Sequence, residues 1–254
     1  MYQLISACGC SIGRIRSNNE DNFCFNGIVL QAKNRGLRDV LFASGTLDKP
    51  FCMGVFDGMG GEAFGEEAAC IAAGVLKEKS AACAGTPEEV LLDACREANE
   101  RICAETRRRG AGVMGSTMTA LWLEGREAVL LNLGDSRAFR LRDSALEQIS
   151  VDHTDWARLT ALGIVNRKPR LTQHLGIDPS DMILEPAIWK GSIRSGDRFL
   201  LCSDGLTDMV TEEEITDILL RVEEPSDCVR ELINTAIERG GRDNVTVQLC
   251  SILC

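Results

Sequence analysis

Histidine is almost missing from this sequence, with two residues in 254, and no two cysteines are spaced as Cys-x-x-Cys. A structural zinc site therefore has little to be built from. No stretch approaches the roughly 18 apolar residues that a membrane-spanning helix needs. Met1 to Cys10 lacks the basic start and long apolar run of a secretory signal. Positive charge is the scarcer sign: 28 Lys and Arg stand against 38 Asp and Glu, a net charge of −10. That balance argues against nucleic acid as a partner, and the missing apolar run argues against a membrane. Internal repeats, low-complexity tracts and linkers are also lacking, so residues 1–254 read as a single domain, long enough for a real core.

What is present is ordinary in bulk, 44% apolar and 26% charged, but unusual in its twelve cysteines. Several stand where a small apolar residue belongs, as Cys70 and Cys95 do among helical alanines. They read as reduced core thiols of a cytoplasmic protein.

The central stretch is Val55-Phe56-Asp57-Gly58-Met59-Gly60-Gly61. A buried strand from Phe51 ends at a carboxylate followed by three glycines in four residues. Glycine lets backbone approach closely, and a bare carbonyl beside a carboxylate is an oxygen corner suited to a hard divalent cation. Three further Asp turns flank apolar strands: Gly134-Asp135-Ser136, Asp204-Gly205 and Gly241-Arg242-Asp243-Asn244. Aspartate and glycine favour turns in any protein. Four such turns, each against a strongly apolar strand, predict a shared acidic site at one end of a sheet sandwich. Oxygen ligands without Cys or His select Mg²⁺ or Mn²⁺, and two such ions support in-line displacement at phosphorus. Arg16 is placed to fork onto a phosphate.

The remaining pattern predicts strands over Gln3–Cys8, Asn22–Leu30, Ser116–Leu123, Ala128–Leu133, Ser136–Leu141, Asp197–Ser203 and Asn244–Leu253. Residues 31–50 read as a long hairpin loop, and 152–180 as mixed, with a short helix at Trp156–Leu162. Helical faces run through Ala68, Ile71, Ala72, Val75 and Leu76, and through Leu91, Ala94, Cys95, Ala98 and Ile102. A third runs through Val229, Leu232, Ile233, Ala236 and Ile237. Thr86-Pro87-Glu88-Glu89 and Thr211-Glu212-Glu213-Glu214 are capping boxes. Strands in sets and helices in pairs indicate an α+β fold.

Six motifs in order then carry a family resemblance: Gly13-Arg14-Ile15-Arg16-Ser17-Asn18-Asn19-Glu20-Asp21, the Asp57 stretch, Gly115-Ser116-Thr117, Leu133-Gly134-Asp135-Ser136-Arg137, Ser203-Asp204-Gly205-Leu206-Thr207-Asp208 and Gly241-Arg242-Asp243-Asn244-Val245-Thr246. The chain resembles the metal-dependent serine/threonine protein phosphatases of the 2C type, in their compact bacterial form. The resemblance implies an α-β-β-α sandwich of two antiparallel sheets flanked by helix pairs. It implies that Asp57 bridges two Mn²⁺ or Mg²⁺ ions, with the Gly58 carbonyl on one and Asp204 and Asp243 on the other. Glu20 and Asp21 match positions that reach metal-bound waters, Asp135 with Asp204 matches a weaker third site, and Arg16 matches the phosphate-binding arginine. The implied substrates are phosphoserine and phosphothreonine proteins, a serine/threonine kinase among them, and the implied state is a monomer. Water attacks in line, without a covalent intermediate. A catalytically dead relative would have lost metal positions; here every matched carboxylate survives.

Two features depart from the family pattern. Met59 and Glu62 stand where relatives carry histidine, which leaves Glu62 and a metal-bound water as candidates for the general acid. The segment between Asp152-His153-Thr154 and Leu171-Thr172-Gln173-His174-Leu175-Gly176 is shorter than the family's flap.

Overall fold

The computed structural model describes residues 2–59, 64–110, 112–164 and 166–254. Its strands are β1 (Gln3–Ser11), β2 (Asp21–Phe25), β3 (Leu41–Thr46), β4 (Phe51–Met59), β5 (Gly115–Ser116), β6 (Met118–Glu124), β7 (Glu127–Leu133), β8 (Arg137–Arg142), β9 (Ala145–Gln148), β10 (Ala187–Ser192), β11 (Arg198–Cys202) and β12 (Val245–Leu253). Its helices are α1 (Gly65–Ala82), α2 (Pro87–Arg109), α3 (Trp156–Ala161), α4 (Asp204–Thr207), α5 (Glu212–Arg221) and α6 (Pro225–Glu238).

The strands form two antiparallel sheets, ordered β3-β1-β12-β11-β8-β9 and β10-β7-β6-β4-β2, with β5 added beside the end of β4. Between the sheets lies a layer built from both inner faces. Phe23, Met53, Val55 and Leu121 come from one sheet, and Cys8, Phe199, Leu201 and Cys250 from the other. The outer face of the second sheet, through Phe56, Ala120 and Trp122, packs on α1 and α2. The outer face of the first, through Ala7, Phe139 and Leu249, packs on α5 and α6. Alternation along β12 shows the logic: Val245, Val247 and Leu249 face helices, while Cys250 and Ile252 face the other sheet. This is the expected α-β-β-α sandwich.

The helical faces read from sequence are the buried ones. Leu91, Ala94, Cys95, Ala98 and Ile102 are buried on α2, and Val229, Leu232, Ile233 and Ala236 on α6. Both capping boxes form. The Glu89 amide donates to Thr86 Oγ1 at 3.3 Å and the Thr86 amide to Glu89 Oε2 at 2.9 Å, a pairing worth about 1 kcal/mol. Thr211 and Glu214 repeat it.

Several expectations are corrected. β2 stops at Phe25 instead of reaching Leu30, because Asn26 and Gly27 turn the chain at φ 47° and 83°. Residues 31–50 are not all loop: Leu41–Thr46 pairs with β1 as an edge strand, mostly exposed and so without an apolar run. β9 and β10 are edges of the same kind. β1 runs on to Ser11 and β4 to Met59. All twelve cysteines are free and nine of them are buried, as core thiols should be.

Candidate metal centre and phosphate site

Register places the acidic turns together. Ser11 at the end of β1 faces Val245 at the start of β12, Cys202 at the end of β11 faces Val247, and Asp21 opening β2 faces Asp57 near the end of β4. The Gly134–Ser136 turn carries the chain from the second sheet to the first. Asp21, Asp57, Asp135, Asp204 and Asp243 thus meet at one end of the sandwich, close enough that their charges act on one another.

Asp57 is fixed through its backbone. Its amide donates to Thr117 Oγ1 at 2.9 Å, and its carbonyl accepts from the Thr117 amide at 2.9 Å. Thr117 Oγ1 lies 2.8 Å from Ser136 Oγ, which links the Asp57 strand to the Asp135 turn. Gly58 is required by crowding, since a Cβ there would lie 2.2 Å from the Gly65 carbonyl oxygen and 2.6 Å from that of Glu20. Gly205 is tighter, with a Cβ 1.9 Å from the Asn244 carbonyl oxygen. Desolvation pushes the Asp57 carboxyl well above the usual range, and the charges of Asp21, Asp204, Asp135 and Asp243 push it further.

Asp21 is buried and held by hydroxyls from the other sheet. Ser203 Oγ and Thr246 Oγ1 each donate to Asp21 Oδ2 at 2.7 Å. Burial raises its pKa to about 7 against the pull of those two bonds. Glu20 is half-buried. Its amide donates to Asn244 Oδ1 at 2.8 Å and its carbonyl accepts from the Gly58 amide at 3.1 Å. Burial raises its carboxyl, and the Arg16 charge opposes the rise. Asn244 Nδ2 also donates to the Ile12 and Asn18 carbonyls at 3.0 Å each, so it pins the loop that carries Arg16.

Cations hold the other carboxylates. Arg16 Nη2 donates to Asp243 Oδ2 at 2.6 Å, and Asp243 Oδ1 accepts from the Asn244 amide at 2.9 Å. Lys168 Nζ lies 2.7 Å from both Asp204 Oδ2 and Asp208 Oδ2. Asp135 is raised to about 6, by desolvation first and Asp204 next, with Lys168 pulling the other way. Beside these groups opens a cleft of about 410 Å³, lined by Asp135, Arg137, Asp152, Trp156, Lys168 and Asp204 among others. Arg137 forks onto Asp152 at 2.9 and 2.6 Å, which fixes the wall of the cleft and makes this arginine structural.

Among the described residues, no three acidic, Cys or His side chains close around one point as a finished ligand set. The donor chemistry nevertheless fits hard divalent cations. Every candidate ligand is an oxygen, and Asp21 Oδ1 and Asp204 Oδ1 are buried without a partner. Each such orphan costs about 1–3 kcal/mol, a cost that a cation or its water would remove.

The structure therefore brings together all eight expected residues: Arg16, Glu20, Asp21, Asp57, Gly58, Asp135, Asp204 and Asp243. Glu62, the candidate acid, lies outside the described residues with Gly60 and Gly61. Lys168 and Asp208 were not anticipated as a pair. Lys168 sits in a stretch without periodicity, so no sequence signal points it at the acids. The hydroxyls of Ser203 and Thr246 were in view, each inside a motif that carries an Asp.

Residues 31–239 match the sequence profile of the protein phosphatase 2C family. Over 249 residues the chain is 31% identical to the serine/threonine protein phosphatase PstP of Mycobacterium tuberculosis, covering 95% of this chain and 43% of that protein. It thus spans less than half the length of that relative. It is 32% identical to the serine/threonine phosphatase stp of Listeria monocytogenes over 252 residues, covering 93% of this chain and 91% of that one. The catalytic domain of PstP, solved with two manganese ions, superposes with a TM-score of 0.80 at 30% identity over all of both chains. PppA of Pseudomonas aeruginosa superposes with a TM-score of 0.78 at 30% identity over 98% of each.

Proposed function

The chain belongs to the protein phosphatase 2C family, and we propose that it hydrolyses phosphoserine and phosphothreonine in proteins with the help of bound Mn²⁺ or Mg²⁺. Water attacks the phosphorus in line, without a covalent phosphoenzyme. The observation that carries this reading is the acidic pocket itself: five aspartates at one end of the sandwich, two with buried oxygens that lack partners. No cysteine lines the adjoining cleft among the described residues, and burial holds the core thiols protonated, which favours water over a thiolate as nucleophile.

Asp57 and the Gly58 carbonyl would hold the first ion, and Asp57, Asp204 and Asp243 the second. Asp135 and Asp204 would frame the weaker third position. When bound, the ions supply an activated water and neutralise charge on the phosphoryl oxygens. Glu20 and Asp21 would accept hydrogen bonds from waters around such ions, and the hydroxyls of Ser203 and Thr246 hold Asp21 in place for that task. Arg16 exchanges its bond to Asp243 for two phosphate oxygens and so orients the phosphoryl group. The cleft beside Asp135 receives the protein segment that carries the phosphorylated residue.

Residues 1–254 act as one catalytic domain, since strand ends of both sheets contribute carboxylates. All of these come from a single chain, so the proposed site needs no second copy to complete it. The family supports a serine/threonine kinase among the substrates, and twelve free cysteines support a reducing, cytoplasmic compartment. The test is turnover of a phosphothreonine peptide with Mn²⁺, Mg²⁺ or chelator. Turnover should require the metal and vanish on chelation; full turnover in chelator would refute the reading.

A further inference from the structure

Lys168 reaches the acidic pocket from the irregular segment between α3 and β10. Its ammonium lies 2.7 Å from Asp204 Oδ2 and 2.7 Å from Asp208 Oδ2. The backbone that carries the two carboxylates is fixed, because the Asp208 amide donates to the Asp204 carbonyl at 2.8 Å across one turn. The same ammonium acts on Asp135, and all four side chains line the cleft. It therefore stands among the oxygens that frame the third ion position.

The two kinds of cation differ in what they can do there. A lysine ammonium is a compact single charge on a flexible stem, and it leaves no coordination site open for substrate. A divalent ion brings twice the charge and retains exchangeable waters. The Lys168 side chain is 58% exposed, whereas that of Asp204 is 15% exposed. The lysine can thus swing into solvent while the carboxylate stays in place, and its second partner, Asp208, is itself 44% exposed.

We propose that Lys168 is a built-in counter-ion for the third metal position: it neutralises Asp204 and Asp208 while the enzyme works with two ions, and a third enters only when Lys168 leaves. The proposal rests on the two-ion reading above. It also assigns a role to Asp208, which as the second anchor of Lys168 raises the barrier to that exchange.

Calorimetric titration of Mn²⁺ into the full chain separates the outcomes, with circular dichroism to confirm that each variant is folded. The parent should take two ions, with any third bound weakly. Lys168→Met should bind a third ion roughly tenfold more tightly than the parent does, the scale of releasing two ion pairs that share one half-exposed ammonium. Lys168→Arg, which keeps the charge, should behave as the parent. Equal stoichiometry and affinity in parent and Lys168→Met would overturn the proposal. So would an equal gain in Lys168→Arg, because charge would then not be the cause. A parent that binds no Mn²⁺ at all would instead overturn the proposed function on which this inference stands.

Discussion

The floor and the rim of the acidic pocket are held by different kinds of bond. On the floor, Asp57 is tied by backbone bonds to Thr117, and Asp21 by two hydroxyls at 2.7 Å. On the rim, Asp243 and Asp204 are held by Arg16 and Lys168, whose side chains are 47% and 58% exposed. Bonds from amide and hydroxyl donors buried within the sandwich are shielded from salt. An ion pair whose cation is half-exposed can open to water and give way to a stronger cation. The contrast teaches that the floor is built before any ligand arrives, whereas the rim is held provisionally.

The strongest way to break this contrast is to discharge the floor. Asp57→Asn keeps the shape but removes the charge proposed to bridge the ions, so turnover should fall by roughly a thousandfold, the scale of losing one strong electrostatic element of a transition state. The metal-free protein should melt no lower than the parent, because the charge removed is one that its neighbours destabilise. Retained turnover, or a collapse of the metal-free fold, would show that Asp57 is structural instead.

A smaller effect is expected on the rim. Arg16→Ala should lower kcat/KM by about ten- to a hundredfold, chiefly through KM, since a charge-assisted bond is worth roughly 1.5–3 kcal/mol. Arg16→Lys should recover part of the loss, because lysine restores the charge but not the fork. Inhibition by inorganic phosphate should weaken in step with the loss. If phosphate inhibits Arg16→Ala as well as it does the parent, the arginine serves only Asp243.

The smallest effect concerns pH. Asp21 and Asp135 have folded pKa values of about 7 and about 6, above the ordinary 3.8. Groups raised in this way add stability below their unfolded pKa and lose it as pH rises through the folded value. Divalent ions offset only the ionised forms. The rise in melting temperature caused by Mn²⁺ should therefore grow by a few degrees between about pH 5 and pH 8. A metal-induced rise that does not change with pH would remove the electrostatic account of the floor.

Sequence is informative where at least one face of an element is fully buried and uninformative where burial is only partial. β12 and the inward faces of α2 and α6 were readable because alternation or helical period marks them. The site was readable because each carboxylate adjoins an apolar strand. The edge strands β3, β9 and β10 are half-exposed, so no period separates them from loop. β2 reads too long because Ile28-Val29-Leu30 resumes the apolar run after Asn26-Gly27, which carries a turn signal of its own. Lys168 lies 36 positions from Asp204 in a stretch without pattern, and only the folded chain brings the two together.

The pairing of β1 with β12 has a consequence in time. Residue 3 lies opposite residue 253, and β12 is the strand that joins β1 to β11 in the middle of its sheet. Asp243 stands two residues ahead of that strand. During synthesis the first sheet stays in two pieces until its final strand emerges, and Thr246, which helps to hold Asp21, arrives with it. Contacts of such long sequence separation form slowly. The acidic pocket thus closes only once β12 has paired with β1 and β11, and a ribosome-bound chain that still lacks β12 carries every one of the acidic residues in its sequence but not the register that draws them together.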